Sequence, residues 1–268
     1  MSRHLDPFYS AKLPFGRIHA DIADIKIRAA ALIDQRNLVP IPQKDADTGE
    51  LIYKVRIVQD VPDDIERDAI RHLTEIRSAL DKAINGCAKI LGSRSLKHTN
   101  FPFGYAAGGL RAFKSQLSNT RGPWRGIPDE LHAYLLELMP FPTRDGTSDG
   151  NDLLALLGEL SNPAKHENTL FISIQVNGIG ITNMSGGSFH FPRIQTIWND
   201  AHDECEVFRL LPTDGQMEFV IPTQISFNSS GIYSDRDFAG LLSDMAHMAE
   251  RIVLGVEAKT TEVRKVRN

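Results

Sequence analysis

The stretch Asp64–Leu91, DIERDAIRHLTEIRSALDKAINGCAKIL, sets its apolar residues at helical spacing. Ile65, Ala69, Leu73, Ile76, Leu80, Ile84, Cys87 and Leu91 recur every three or four positions, which predicts one helix of about seven turns. A helix this long must bury its stripe against several partners, so it is expected to be the central member of a bundle. Gly92 follows as its C-terminal cap.

Upstream, Ile18, Ile22, Ile25, Ala29 and Leu32 predict a helix over 17–36, stopped by Pro40 and Pro42. Asp47-Thr48-Gly49 reads as a turn. The alternation of Leu51, Tyr53, Val55 and Ile57 with Lys54 and Arg56 predicts a strand over 51–59. Downstream, helices are expected at 108–118, 127–138 and 151–161. From Thr169 the period becomes alternating. Asn177-Gly178 separates 171–176 from 179–181, and Asp214-Gly215 separates 206–210 from 217–221, so two hairpins are expected.

The chain closes with a helix over 235–257, with Ser234 and Asp237 in capping-box positions. Its stripe of Phe238, Leu241, Leu242, Met245, Ala249, Ile252 and Val256 packs on the bundle or forms a homodimer seam; the tail past Ala258 reads as frayed. The expected fold class is α+β: a helical bundle around one long central helix, with an antiparallel β-sheet and a C-terminal helix. Residues 1–168 form the mainly helical region, with one strand near 51–59. Residues 169–268 form the sheet and last helix, and the whole is expected to be one compact unit.

The chain has 268 residues, 41% hydrophobic and 24% charged, an ordinary globular composition. Its two cysteines, Cys87 and Cys205, are too few and too distant for a disulfide framework, which favours a reducing compartment. The N-terminus lacks the apolar run of a signal peptide and no segment is long enough to span a bilayer, so a cytoplasmic location without a membrane partner is expected.

Charge is distributed unevenly. No acidic residue lies between Asp81 and Asp129, while Lys82, Lys89, Arg94, Lys97, Arg111, Lys114, Arg121 and Arg125 do. The formal net charge is −4, so a local positive field is set against an acidic remainder, which points to an anionic partner. Phe101, Phe103, Tyr105, Phe113 and Trp124 are interleaved with these cations. The plainer reading is a solvated basic face.

Within the long helix, Arg77 falls inside the apolar stripe, about 40° from Leu73 on the helical wheel. A guanidinium there keeps its proton and must be paired or line a cleft. Asp81, one turn on, is the expected partner. The pair then either orients packed helices or holds an anion-facing Arg. A second constellation is Ser161-Asn162-Pro163-Ala164-Lys165-His166. Asn162 and Pro163 read as cap and first residue of a new helical turn, which would put Lys165 and His166 at an anion-favouring N-terminus. His166 is the residue able to move a proton near neutral pH. The bland alternative is an exposed connecting turn.

The order Arg77-Ser78-Ala79-Leu80-Asp81, Phe101-Pro102-Phe103 and Asn162-Pro163-Ala164-Lys165-His166 resembles a family of uncharacterised bacterial proteins that run R-S-A-L-D-H, F-P-I and N-x-D-K-H-R. The likeness covers roughly residues 55–170. Its R-x4-H element is similar to the signature of HEPN-type helical ribonucleases. The resemblance places Arg77 and Asp81 at the Arg and Asp positions, whereas Lys82, Ala164 and Glu167 depart from the pattern at its His, Asp and Arg positions.

Other candidates carry less. His202-Asp203-Glu204-Cys205 are consecutive and cannot converge on one ion, and His190 reads as an ordinary strand or loop residue, so no metal is expected. The glycines of 104–109 lack the Lys-Ser/Thr of a phosphate loop, and no cofactor is expected.

Two expectations follow. One is an RNA- or nucleotide-interacting HEPN-like protein with weak or lost ribonuclease activity. Any surviving cleavage would be metal-independent at an anion site of Arg77, Lys165 and His166, with His166 as acid/base and Arg77 stabilising phosphate charge. Asp81, Asn162, Arg94, Lys97, Arg111, Lys114, Arg121 and Arg125 would then bind substrate. The other is a non-enzymatic interaction or regulatory module in which Arg77–Asp81 is a structural ion pair.

Overall fold

The computed structural model describes residues 6–34, 38–57, 61–93, 96–104, 109–143, 150–166, 172–176, 180–185, 197–199, 204–211, 216–220, 223–227 and 236–267. The fold is α+β, with helices α1 (Tyr9–Lys12), α2 (Phe15–Asp34), α3 (Asp63–Leu91), α4 (Gly109–Leu117), α5 (His132–Glu137), α6 (Asp152–His166) and α7 (Phe238–Arg267). Strands are β1 (Leu38–Lys44), β2 (Leu51–Ile57), β3 (Ile172–Val176), β4 (Gly180–Ser185), β5 (Ile197–Asn199), β6 (Glu204–Leu210), β7 (Gln216–Val220) and β8 (Thr223–Phe227). Among the described residues no helix is long and apolar enough to cross a membrane.

The chain groups into two compact units, one of residues 1–25, 66–170 and 239–268, the other of 26–65 and 171–238. α7 belongs with the helices because its stripe is consumed there: Leu241, Leu242, Met245, Ala249, Ile252 and Val256 are all buried within the chain itself. β1 and β2 belong with the later strands because a hairpin needs further strands to complete its hydrogen bonding.

In the helical unit α3 is central, as its stripe predicts. Leu73, Ile76, Leu80, Ile84 and Cys87 are fully buried. Polar contacts tie α3 to its neighbours: Arg71 to Asp21 of α2 at 3.2 Å, Arg77 to Ser161 of α6 at 3.0 Å, and Arg267 of α7 to the Leu91 carbonyl at 2.7 Å. The last contact, with buried Thr260, keeps helical the tail expected to fray. The aromatics between the cations are core: Phe101, Phe113 and Trp124 are buried, and Phe113 packs 5.5 Å from Trp124 and 5.9 Å from Phe141.

In the second unit the antiparallel sheet runs β1-β2-β6-β5. Pro40 and Pro42 do not merely stop a helix. They lie in β1, an edge strand that tolerates missing amide donors. The register between β2 and β6 shifts at Tyr53/Lys54, where Val207 of β6 is the extra residue, and Ile52 and Val55 are the buried residues of β2. Among the described residues neither expected hairpin pairs its own strands. β3 pairs with β8 and β4 with β7, while β6 lies between β2 and β5. Long-range pairing here overrides the local turn signals; Asn177-Gly178 and Asp214-Gly215 lie outside the described residues, as does Ser234. Glu204 is buried beside Arg56 and Lys54, whose charges hold its carboxyl below the usual range; Arg56 contributes most.

Candidate functional site

The three segments singled out in the sequence meet in the helical unit. Asp81 sits four residues beyond Arg77 on α3, and its Oδ1 accepts the Phe101 amide N–H at 2.7 Å. That bond anchors Phe101-Pro102-Phe103 to α3. The Phe101 and Phe103 rings lie 5.0 Å apart, and the Phe103 ring centre is 5.1 Å from the Arg77 guanidinium carbon, a cation–π distance. Gly158 of α6 makes room for Phe103, because a Cβ there would lie 2.7 Å from the ring. Arg77 Nη1 then donates to Ser161 Oγ at 3.0 Å and to Asn162 Oδ1 at 2.5 Å. Ser161 is buried, and its hydroxyl donates to the Gly158 carbonyl at 3.3 Å.

Arg77 thus links α3 to α6. Its hydrogen bonds run to Ser161 and Asn162 rather than to the expected partner Asp81, which instead accepts the Phe101 amide. The i,i+4 spacing made Asp81 reachable, but a backbone N–H and a facing helix supply each group with a partner the sequence did not show. Arg77 Nε is buried without a hydrogen-bond partner among the described residues.

Asn162 and Pro163 do not start a new turn. α6 continues through them to His166, so Lys165 and His166 occupy a helix C-terminus, the end whose dipole repels anions. Pro163 supplies no N–H to the Glu159 carbonyl, and the helix ends soon after it. The side chains of Lys165 and His166 lie outside the described residues, as do Ala164, Glu167, Arg94, Tyr105, His190 and His202.

The other predicted cations are on the surface. Lys97 in the short 3-10 turn Leu96–His98, Arg111 and Lys114 on α4, and Arg121 and Arg125 in the following loops are all exposed. Arg125 is bonded to the His98 ring and to the Gly122 carbonyl. Among the described residues Arg111, Lys114 and Arg121 take part in no ion pair. α4 turns Phe113 and Leu117 inward, which leaves Arg111 and Lys114 outward at three-residue spacing.

Lys82 projects into solvent on α3, as the helical wheel predicts. Two histidines escaped the sequence reading, His72 buried and His132 partly buried. His72 is fully buried amid Asp21, Glu75, Asp68 and Arg71, and burial pushes its pKa below the ordinary 6.5. His132 is shifted the same way, chiefly by burial and against the pull of Asp129. Only the unusual mix of His72 with apolar neighbours on α3 could have signalled the first. Among the described residues no group of three or more His, Cys, Asp or Glu is placed to hold a metal ion. Comparison with protein-family models, with curated proteins and with solved structures gives no match for this chain.

Proposed function

We propose that this chain is an RNA-interacting protein, similar in plan to the HEPN-type helical ribonucleases, in which cleavage has been lost. The observation that carries the reading is the set of exposed cations Arg111, Lys114 and Arg121, free of ion pairs among the described residues and set in an acid-free stretch. Cations without internal partners remain available to phosphates, and displaced counterions drive such binding. Two features support loss of catalysis. Arg77 is engaged by Ser161 and Asn162. The family's acid/base position, a histidine in the pattern, is occupied here by the exposed Lys82.

The test combines binding and cleavage on single-stranded RNA. Affinity is expected to fall as salt rises, and Arg111→Ala/Lys114→Ala/Arg121→Ala should reduce the salt slope by about 2. Wild type, Arg77→Ala and His166→Ala should all leave the RNA intact. Binding indifferent to salt would remove the electrostatic reading; cleavage by wild type that disappears in His166→Ala would restore the enzyme.

A further inference from the structure

One face of α3 carries Ser78, Lys82, Asn85 and Lys89 at intervals of four, three and four residues, which confines them to a stripe about 60° wide. These residues line an open cleft of about 320 Å³. Pro7, Ser10, Leu96, Thr99 and Asn100 complete its lining, together with Asp81 and Gly86. Both chain segments are fixed to the helix. A Cβ at Gly86 would lie 3.1 Å from the Pro7 carbonyl oxygen and 3.3 Å from the Phe8 ring, so the N-terminal segment packs close where glycine leaves space. Asn85 Nδ2 donates to Thr99 Oγ1 at 2.9 Å, and that hydroxyl donates to the Leu96 carbonyl at 3.1 Å.

The electrostatics of the cleft favour an anion. Lys82 and Lys89 are exposed, and among the described residues neither is in an ion pair. The lining includes one carboxylate, Asp81, whose Oδ1 accepts the Phe101 amide N–H. The two lysines are seven residues apart, about 10 Å along the helix axis. Converging on one small anion would cost both side chains rotamer freedom, whereas a linear polyanion meets each in an extended conformation. Leu96, half exposed at 49%, adds an apolar edge to the cleft, and the RNA-interacting reading above selects a polynucleotide as the polyanion.

We propose that this cleft is a phosphate-binding groove for single-stranded RNA, with Lys82 and Lys89 neutralising different phosphates and Ser78, Ser10 and Asn100 supplying hydrogen bonds. The proposal rests on the RNA-interacting reading above and assigns it a track on α3, separate from the α4 cations. The experiment uses the full chain and a fluorescein-labelled oligouridylate, followed by anisotropy across a salt series. Acetylation of lysine amines with and without RNA is read in parallel by mass spectrometry.

Lys82→Ala/Lys89→Ala is expected to weaken binding about tenfold at low salt and to reduce the salt slope by about 1.4. Lys82 and Lys89 should be shielded from acetylation when RNA is bound, and Lys259→Ala/Lys265→Ala on α7 should bind as wild type does. If wild type binds RNA but the Lys82/Lys89 variant binds equally and neither lysine is shielded, the groove is refuted while the RNA reading stands. Absence of RNA binding by wild type overturns both. Shielding by polyglutamate but not by oligouridylate overturns the groove's assignment to RNA.

Discussion

Arg77 has a half-buried guanidinium with two side-chain acceptors on α6 and an aromatic ring beneath it. Arg77→Ala removes these contacts and leaves the buried Ser161 oxygen without that donor, so chemical denaturation should show a loss of about 1–3 kcal/mol. Arg77→Lys keeps the charge but not the planar group, and should recover only a small part of the loss. Wild-type stability in both variants would mean that the contact does not hold the helices. At this scale the sequence showed which residues mattered but not what they touch. The wheel position of Arg77 inside an apolar stripe called for a cation that is paired or lines a cleft. Its acceptors lie 84 and 85 positions away, beyond any local pattern.

The element that most changes the reading of the site is α6. Its close approach to Phe103 depends on Gly158, so Gly158→Ala is expected to cost about 1–3 kcal/mol through overpacking and to disturb the ring under Arg77. A melting temperature equal to wild type would show that the ring moves freely aside. Pro163 withholds a hydrogen bond within the same helix, and Pro163→Ala should raise stability by about 1 kcal/mol, seen as a higher denaturation midpoint. Asn-Pro is a strong local signature of a helix start, yet the leucines before it on α6 carry the helix through. The long helices α3 and α7 were legible because each repeats its apolar residues over many turns. β2, β3, β4, β6 and β7 lie near the expected places, whereas β1, β5 and β8 were not expected, and the partners did not follow turn chemistry: Val176 lies opposite Thr223, not across Asn177-Gly178.

For the whole molecule, pH is the most direct probe. His72 and His132 are both held below their ordinary value of 6.5 by burial. Below that value the unfolded chain takes protons that the folded chain resists, so unfolding becomes easier. Stability is expected to be full above about pH 6.5 and to decline as the pH falls toward the folded-state values. Urea titrations across this range should show a smaller decline for His132→Asn than for wild type; an unchanged slope would remove His132 from the account. The sequence alone determined the α+β class, the central helix, the apolar stripe of α7, the acid-free cationic stretch and the identity of the segments that meet at Arg77. These features rest on helical period and charge, which are local properties of the chain. Only the tertiary structure decided the strand pairing, the grouping into two units, the continuation of α6 through Pro163, the acceptors of Arg77 and the cleft along Lys82 and Lys89. Each of these depends on which distant groups satisfy one another once water is excluded, and a one-dimensional pattern does not specify that choice.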